Sequence, residues 1–241
     1  MSEDCPRVSL IIPAYNEGGR IEATLDRVSA YFSEQDYTFE VIVVDDGSRD
    51  DTRAIVERAF ADVRLVGYAK NRGKGYAMRR GLAEADGAFR IVYDADASTP
   101  IAEVEKFWPE FENGAAVILG SRALPGSDVQ IRQPKYRRLM GRGYNMLLHA
   151  LRLTPFRDTQ CGFKAFTAES CEVILPRLTV NGFGSDCEML FVAQLHGLSV
   201  VQIPVLWINS VDSKVNPILD SVGMFCEVVM IRINAMLGRY V

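Results

Sequence analysis

The chain has 241 residues, 48% of them hydrophobic, which is enough to bury a full core and fits one domain. A formal net charge of −4 and a pI near 5.4 exclude the overall basic balance of a duplex binder, so no nucleic-acid partner is expected. The five cysteines, Cys5, Cys161, Cys171, Cys187 and Cys226, form no C-x-x-C pair and are odd in number, which argues against zinc knuckles and disulfide frameworks and for reduced cytosolic thiols.

The first residues, "MSEDCPRVSL", carry acids where a signal peptide has bases, and no window reaches the roughly 20 apolar residues of a membrane span. A soluble or peripheral protein is expected. Short apolar runs then alternate with segments of helical period, the pattern of βα units and a parallel sheet covered by helices. Strands are expected at 8–13, 39–45, 63–68, 89–94, 115–120 and 200–207. Between them Ile21, Leu25, Val28 and Phe32 share one helical face, as do Ile101, Val104, Trp108 and Phe111. No internal repeat or low-complexity tract interrupts the chain, although 123–134 is rich in turn residues.

In an open α/β sheet, ligands gather at the carboxyl ends of the strands, and the polar clusters lie there. The first strand runs into "PAYNEGGR", where Tyr15 suits the lining of a base pocket and Glu17 suits a ribose hydroxyl; Asn16 and Glu17 equally suit a helix start. A dinucleotide fold requires G-x-G-x-x-G at this place, and that motif is absent. The second strand runs into "DDGSRDDT". Asp46 is placed to accept the imide N–H of a uracil, while Asp50 and Asp51 read as turn and cap residues. The paired glycines of "NRGKGYAMRRG" follow the third strand, so they fit neither a Walker nor a Rossmann loop, and Lys74 either touches a bound donor or is solvated.

The fourth strand runs into "YDADASTP". Asp94 and Asp96 stand with only Ala95 between them, an arrangement that lets two carboxylates reach one hard cation, Mg²⁺ or Mn²⁺, which also holds a diphosphate. Ser98 is a further candidate ligand. The competing reading is an N-cap followed by Pro100 in the first helical turn.

No acid occurs between Asp128 and Asp158, while Arg132, Lys135, Arg137, Arg138, Arg142, Arg152 and Arg157 all do. Interleaved with Leu139, Met140, Tyr144, Leu147 and Leu148, they read as an amphipathic helix that meets anionic lipid heads or a lipid-borne phosphate, or else as a solvated face. Further on, Asp158 in "DTQCGFK" and Asp186 and Glu188 in "GSDCE" are candidate acids, the latter two also suiting a helix start. His149 and His196 are the only histidines, and neither a triad nor a zinc spacing is present.

Read in order, "VSLIIPAYNE", "VIVVDDGSRDDT", "NRGKGYAMRRG", "YDADAST", "GSR" and "DTQCGFKAF" make the chain resemble the family 2 glycosyltransferases of the GT-A fold, over nearly all its length. Within that family it looks most like the polyprenyl- or dolichyl-phosphate sugar synthases, and the ending "SVDSKVNPILDSVGMFCEVVMIRI" resembles the glucosyltransferase branch more than the mannosyltransferase one. The resemblance implies a Rossmann-like, mostly parallel sheet with helices on both faces. It also implies one domain over 1–241, with a basic acceptor-side segment at 129–157 and an amphipathic helix at about 217–238.

It implies nucleotide contacts at Pro13, Tyr15, Glu17 and Asp46, and metal and diphosphate contacts at Asp94 and Asp96, with Ala95 and Ser98 in the same turn. Arg122, Arg142 and Lys214 match basic positions that hold the donor diphosphate or the lipid phosphate, and Asp158 matches an acid near the acceptor. The implied reaction is inverting transfer of a sugar to a polyprenyl or dolichyl phosphate. Ala97 and Ser98 stand where mannosyl relatives continue with Leu-Gln, which favours UDP-glucose over GDP-mannose.

The alternatives are that mannosyl reaction, a soluble transferase whose hydroxyl acceptor needs Asp158 or Asp186 as base, and a silent nucleotide-sugar binder. Relatives often anchor through transmembrane helices. Here peripheral attachment to the cytoplasmic face of a membrane is expected instead. An apolar stripe, Ile218, Leu219, Val222, Phe225, Cys226, Val229, Met230, Ile233, Met236 and Leu237, would carry it or else pack on the sheet.

Overall fold

The computed structural model of the chain describes residues 5–130, 135–208 and 219–241, the side chains of 135–138 and 219–220 excepted. The run Val8–Ala14 (β1) is apolar and buried nearly throughout, as a strand covered on both faces must be. Its successive side chains enter opposite cores: Leu10 and Ile12 join Leu25, Val28, Val56 and Val104, whereas Ile11 joins Met78, Leu82, Leu190 and Val228. Helices therefore cover both faces.

In chain order β1 is followed by α1 (Ile21–Ser33), β2 (Phe39–Asp45), α2 (Thr52–Ala59), β3 (Val63–Gly67), α3 (Lys74–Glu84) and β4 (Phe89–Val92). Next come α4 (Trp108–Glu112), β5 (Val117–Ser121), β6 (Asp128–Val129), α5 (Lys135–Ala150), β7 (Lys164–Thr167) and α6 (Ala168–Ile174). The order ends with α7 (Ser185–Leu195), β8 (Val200–Pro204), β9 (Leu206–Trp207) and α8 (Leu219–Met236). Among the described residues, seven strands form one sheet in the order β3-β2-β1-β4-β7-β5-β8, and β6 pairs with β9 in a small second sheet. The large sheet is parallel except for β7, which runs antiparallel to β4 and β5.

The register aligns the strand tips that carry the polar clusters. Ala14 lies opposite Asp45, and Ile11 opposite Val92, so the segments after β1, β2 and β4 leave the same edge. The helix α1 presents Ile21, Leu25, Val28 and Phe32 to the core as its period predicts, each such side chain contributing about 1.5–3 kcal/mol when fully buried.

Three expectations are revised. The segment after Pro100 begins as a 3-10 helix, Ile101–Lys106. With three residues per turn, Ile101, Val104 and Phe107 line up and are buried, and Trp108 falls off that face. The apolar run at 200–207 is two strands in two sheets rather than one. The short strand β7, unexpected from the sequence, separates β4 from β5.

The helix α8 turns its broad apolar stripe outward. Val222, Phe225, Met230, Ile233, Met236 and Leu237 are exposed, and Val228, Ile231 and Asn234 form the buried side. No helix among the described residues is long and apolar enough to cross a membrane. None of the five cysteines is in a disulfide.

Candidate active site

The strand tips open into a cleft of about 380 Å³ lined by Pro13, Tyr15, Glu17, Asp46, Lys74, Asp94, Ala95 and Asp96. These are eight of the ten nucleotide-side and metal-side candidates; Arg122 and Ser98 do not line the cleft. Arg20, Asn71, Gly73 and Phe183 also line it and carry no distinguishing sequence signal.

The Asp94–Asp96 turn is fastened from behind. Ala97 N–H donates to the Asp94 carbonyl at 3.0 Å, Thr24 Oγ1 donates to the Ala95 carbonyl at 2.8 Å, and Tyr93 Oη donates to the Thr99 carbonyl at 2.8 Å. Ala97 has φ of 50°, a left-handed conformation that costs a residue with a Cβ on the order of 1–2 kcal/mol. The helical-cap reading of this motif fails. The cap position of the following 3-10 helix is Pro100, and no side chain caps it.

Asp94 Oδ1 accepts from Lys74 Nζ at 2.7 Å, and Asp96 Oδ1 accepts from Ser98 N–H at 3.0 Å. Each carboxylate keeps its Oδ2 without a hydrogen-bond partner among the described residues. Room for Asp94 Oδ2 depends on Gly162, where a Cβ would stand 1.8 Å from it. Two hard oxygens on one turn fit a small divalent cation whose other ligands would come from a diphosphate, and the buried Oγ of Ser98, two residues on, has no hydrogen-bond partner among the described residues. No third His, Cys, Asp or Glu joins them among the described residues.

Three cations surround Asp94. Burial alone would raise its pKa, but Lys74, then Lys164 and Arg122, hold it below the usual carboxylate range. Burial works against the Lys74 charge in turn, and Asp94, Asp186 and Asp96 outweigh it, so the ammonium titrates above its ordinary range. Lys164 sits in the apolar "CGFKAF" and has no sequence spacing that betrays a role. Its Nζ is buried against Asp186 at 2.6 Å, a pair whose rupture costs about 3–5 kcal/mol.

Asp158 is not a free acid. Its Oδ2 accepts from Arg122 N–H at 3.0 Å and Nε at 2.7 Å, and its Oδ1 from Arg122 Nη2 at 2.8 Å. Burial opposes the charge, but this bidentate pair lowers its pKa to about 2. Glu188 is likewise engaged, accepting from the Thr179 and Val180 amides and from Tyr240 Oη.

Asp46 bonds within its own wall as well. Asn71 Nδ2 at 2.9 Å and the amides of Arg72 at 2.7 Å and Gly73 at 3.0 Å donate to it, which fixes the entry to α3. Gly73, at φ of 99°, is where that loop turns into the helix. Glu17 is paired with Arg20, whose Nη2 donates to Oε1 at 2.8 Å. Asp50 accepts from the Thr52 amide at 3.1 Å and the Gly18 amide at 3.0 Å, the turn role expected of it.

Other candidates stand apart from the cleft lining. Ser98 contributes its N–H from behind, and Arg122 faces Asp158. Arg142 is exposed on α5. Lys214 and Arg132 lie outside the described residues, as do the side chains of Lys135, Arg137 and Arg138.

The pattern described as "Glycosyl transferase family 2" matches residues 9–175. The chain is 32% identical to a dolichyl-phosphate beta-glucosyltransferase of Dictyostelium discoideum, an alignment covering 96% of this chain and 75% of that one. It is 36% identical to one of Trichomonas vaginalis, covering 96% and 72%, and 32% identical to that of Homo sapiens, covering 97% and 77%. Among solved structures, a mycobacterial protein superimposes with a TM-score of 0.70 at 24% identity, over 97% of this chain and 74% of that one. A glucosyl-3-phosphoglycerate synthase from Mycobacterium tuberculosis, in complex with Mn²⁺, UDP-glucose and phosphoglyceric acid, does so with a TM-score of 0.65 at 24% identity, over 98% and 80%. At that identity the likeness is one of fold, the GT-A arrangement of sheet and helices.

Proposed function

The chain belongs to glycosyltransferase family 2, and from that premise we propose that it transfers glucose from UDP-glucose to the phosphate of a dolichyl or polyprenyl phosphate, with inversion. The observation that carries the reading is the shared cleft. The Asp94–Ala95–Asp96 turn opens into the same space as Tyr15, Glu17, Asp46 and Lys74, with the sheet edge as its floor.

Pro13, Tyr15, Glu17 and Asp46 hold the nucleoside. Asp94 and Asp96, with Ser98 beside them, would hold Mg²⁺ or Mn²⁺, which when bound neutralises charge gathering on the departing diphosphate. Lys74, kept protonated by its carboxylate neighbours, adds a fixed positive charge at the same edge.

The acceptor chemistry follows from Asp158. A carboxylate clamped by Arg122 and lowered to about 2 is a poor proton acceptor at neutral pH, and Asp186 is tied to Lys164. A hydroxyl acceptor would need such a base. A phosphate monoester, whose second pKa is about 6, is already mostly ionised at neutral pH and needs none. The pair Asp158–Arg122 therefore orients the acceptor side. Arg142 and Lys214 attract the anionic headgroup.

The whole of 1–241 acts as one transferase unit in this reading. It works at the cytoplasmic face of a membrane, where the basic α5 and the outward apolar stripe of α8 meet anionic lipid. The test is to incubate purified protein with labelled UDP-glucose, a divalent cation and dolichyl phosphate, and to follow label into the organic phase. Label in the organic phase is expected. Its absence, with label released as free glucose or passed to a soluble hydroxyl compound, would overturn the proposal.

A further inference from the structure

Glu227, on α8, reaches back to the loop that walls the cleft. Its Oε1 accepts the Gly182 N–H at 2.9 Å and its Oε2 accepts the Gly184 N–H at 2.7 Å. These two amides flank Phe183, so one carboxylate fixes the backbone on both sides of a ring that lines the cleft. The contact leaves no space for a side chain on the loop. A Cβ on Gly182 would stand 2.2 Å from Glu227 Oε1, and one on Gly184 would stand 2.8 Å from Glu227 Cβ.

The same loop is tied to both sides of the site. The Asn181 carbonyl accepts from Tyr76 N–H at 3.0 Å, next to the Lys74 end of α3. The Phe183 carbonyl accepts from Gln160 Nε2 at 3.4 Å, and Gln160 N–H donates to Asp158 Oδ1 at 3.2 Å. Among the described lining residues, Phe183 is the one contributed from beyond Asp96, in the half of the chain that also carries Asp158 and Arg142.

Attachment of α8 to α7 does not depend on Glu227. Val228 and Ile231 are buried there, and Tyr240 Oη donates to Glu188 at 2.7 Å. A carboxylate whose hydrogen bonds among the described residues go to loop amides is thus available to set the loop's position.

We propose that Glu227 is a positioning residue: through the Gly182 and Gly184 amides it sets Phe183 as the apolar wall on which the first segment of the acceptor's lipid chain packs. The inference rests on the lipid-phosphate reading above. It joins the cleft to the helix whose outer face carries Val222 and Phe225, five and two residues before Glu227. A Gln at 227 keeps one acceptor oxygen but sets an amide NH₂ against the other N–H, so the loop loses half its clamp and meets a repulsive contact.

The experiment uses the full chain with UDP-glucose and dolichyl phosphate in detergent micelles. Glu227→Gln and Phe183→Ala are each expected to raise KM for dolichyl phosphate about tenfold, and by a clearly larger factor than KM for UDP-glucose. The double variant is expected to be no worse than Phe183→Ala, since both changes act through one ring. Gly182→Ala, which pushes the same carboxylate away from the loop side, is expected to reproduce Glu227→Gln and serves in its place if that variant does not fold.

Additive losses in the double variant, or equal rises in both KM values, would overturn the assignment, as would wild-type kinetics for Glu227→Gln. If the wild-type chain makes no glucosylated lipid phosphate, it is the acceptor reading that fails; additive variants of an active enzyme overturn the positioning role alone.

Discussion

The ammonium of Lys74 stands 2.7 Å from Asp94 Oδ1, so the carboxylate proposed to hold a metal already faces a cation of the protein's own. Both side chains are partly open to the cleft, which lets the pair be rearranged without unfolding its surroundings. In the proposed reading Asp94 would be shared between this lysine and a divalent ion, and the lysine would gain a second partner in the donor diphosphate.

Replacing the lysine separates the two effects. Lys74→Met is expected to tighten Mn²⁺ binding by the donor-free protein several-fold, about threefold to tenfold for a partly solvated pair. The same change is expected to lower kcat by about 10²-fold, as for loss of one fixed charge at a developing anion. Electron paramagnetic resonance of free Mn²⁺ measures the first and initial rates the second. Weaker Mn²⁺ binding in the variant would mean that Lys74 supports the metal site rather than competing with it.

Gly162 supplies a purely steric test. Ala at this position would bring a methyl group within 1.8 Å of Asp94 Oδ2, and the cleft side is open for the carboxylate to swing away. Gly162→Ala is expected to keep its thermal midpoint within a few degrees and to lose metal-dependent transfer to about the level of Asp94→Ala, about 10²-fold or more. Titration of activity against Mn²⁺ checks it. Near wild-type activity with an unshifted titration would show that Asp94 Oδ2 is not needed.

Asp158 ties stability to pH in a defined direction. Its carboxyl is lowered from the ordinary 3.8 to about 2 in the folded chain, so between those values the unfolded chain binds the extra proton. The stabilisation, about 2 kcal/mol, is fully present above pH 4 and lost as pH falls toward 2. Urea unfolding of the wild type and Asp158→Asn across this range is expected to give a difference that shrinks as the acid end is approached. A difference independent of pH would place the group's titration elsewhere.

The half of the cleft formed by the strand tips was legible because of how parallel sheets are built. A near-continuous apolar run such as Val8–Ala14 announces a strand buried on both faces, and once the strands are parallel their carboxyl ends, with Tyr15, Asp46, Asp94 and Asp96, must meet at one edge. The other half was not. The strand β7 has four residues, Lys164–Thr167, too few for a period, and its direction is set by pairing with β4 and β5. Lys164 and Phe183 acquire their places only when that strand and the loop before α7 are put in position. The stripe on α8 was readable as a stripe, yet an apolar face looks the same in sequence whether it faces the sheet or the outside. The 3-10 turn after Pro100 changed which aromatic is buried, because its period is three and not 3.6.

The outward stripe and the basic helix give a membrane test. Phe225→Ser with Ile233→Ser removes two exposed side chains worth about 1.5–3 kcal/mol each on burial in lipid, so binding to vesicles of anionic phospholipid is expected to fall tenfold or more with the thermal midpoint unchanged. Arg142→Ala is expected to raise KM for dolichyl phosphate more than for UDP-glucose. Vesicle flotation and steady-state kinetics measure the two. Unchanged flotation would remove α8 from the membrane contact.

The most direct measurement is glucosyl transfer by Asp96→Ala as Mn²⁺ is titrated, with labelled UDP-glucose as donor and organic-phase label as readout. Wild-type protein is expected to move label into dolichyl phosphate in proportion to bound metal, and the variant, folded by circular dichroism, to show almost none at any metal concentration. A variant that glucosylates the lipid near the wild-type rate, or a metal-stripped wild type that does so, would contradict the assignment of the Asp94–Asp96 turn as the seat of the reaction.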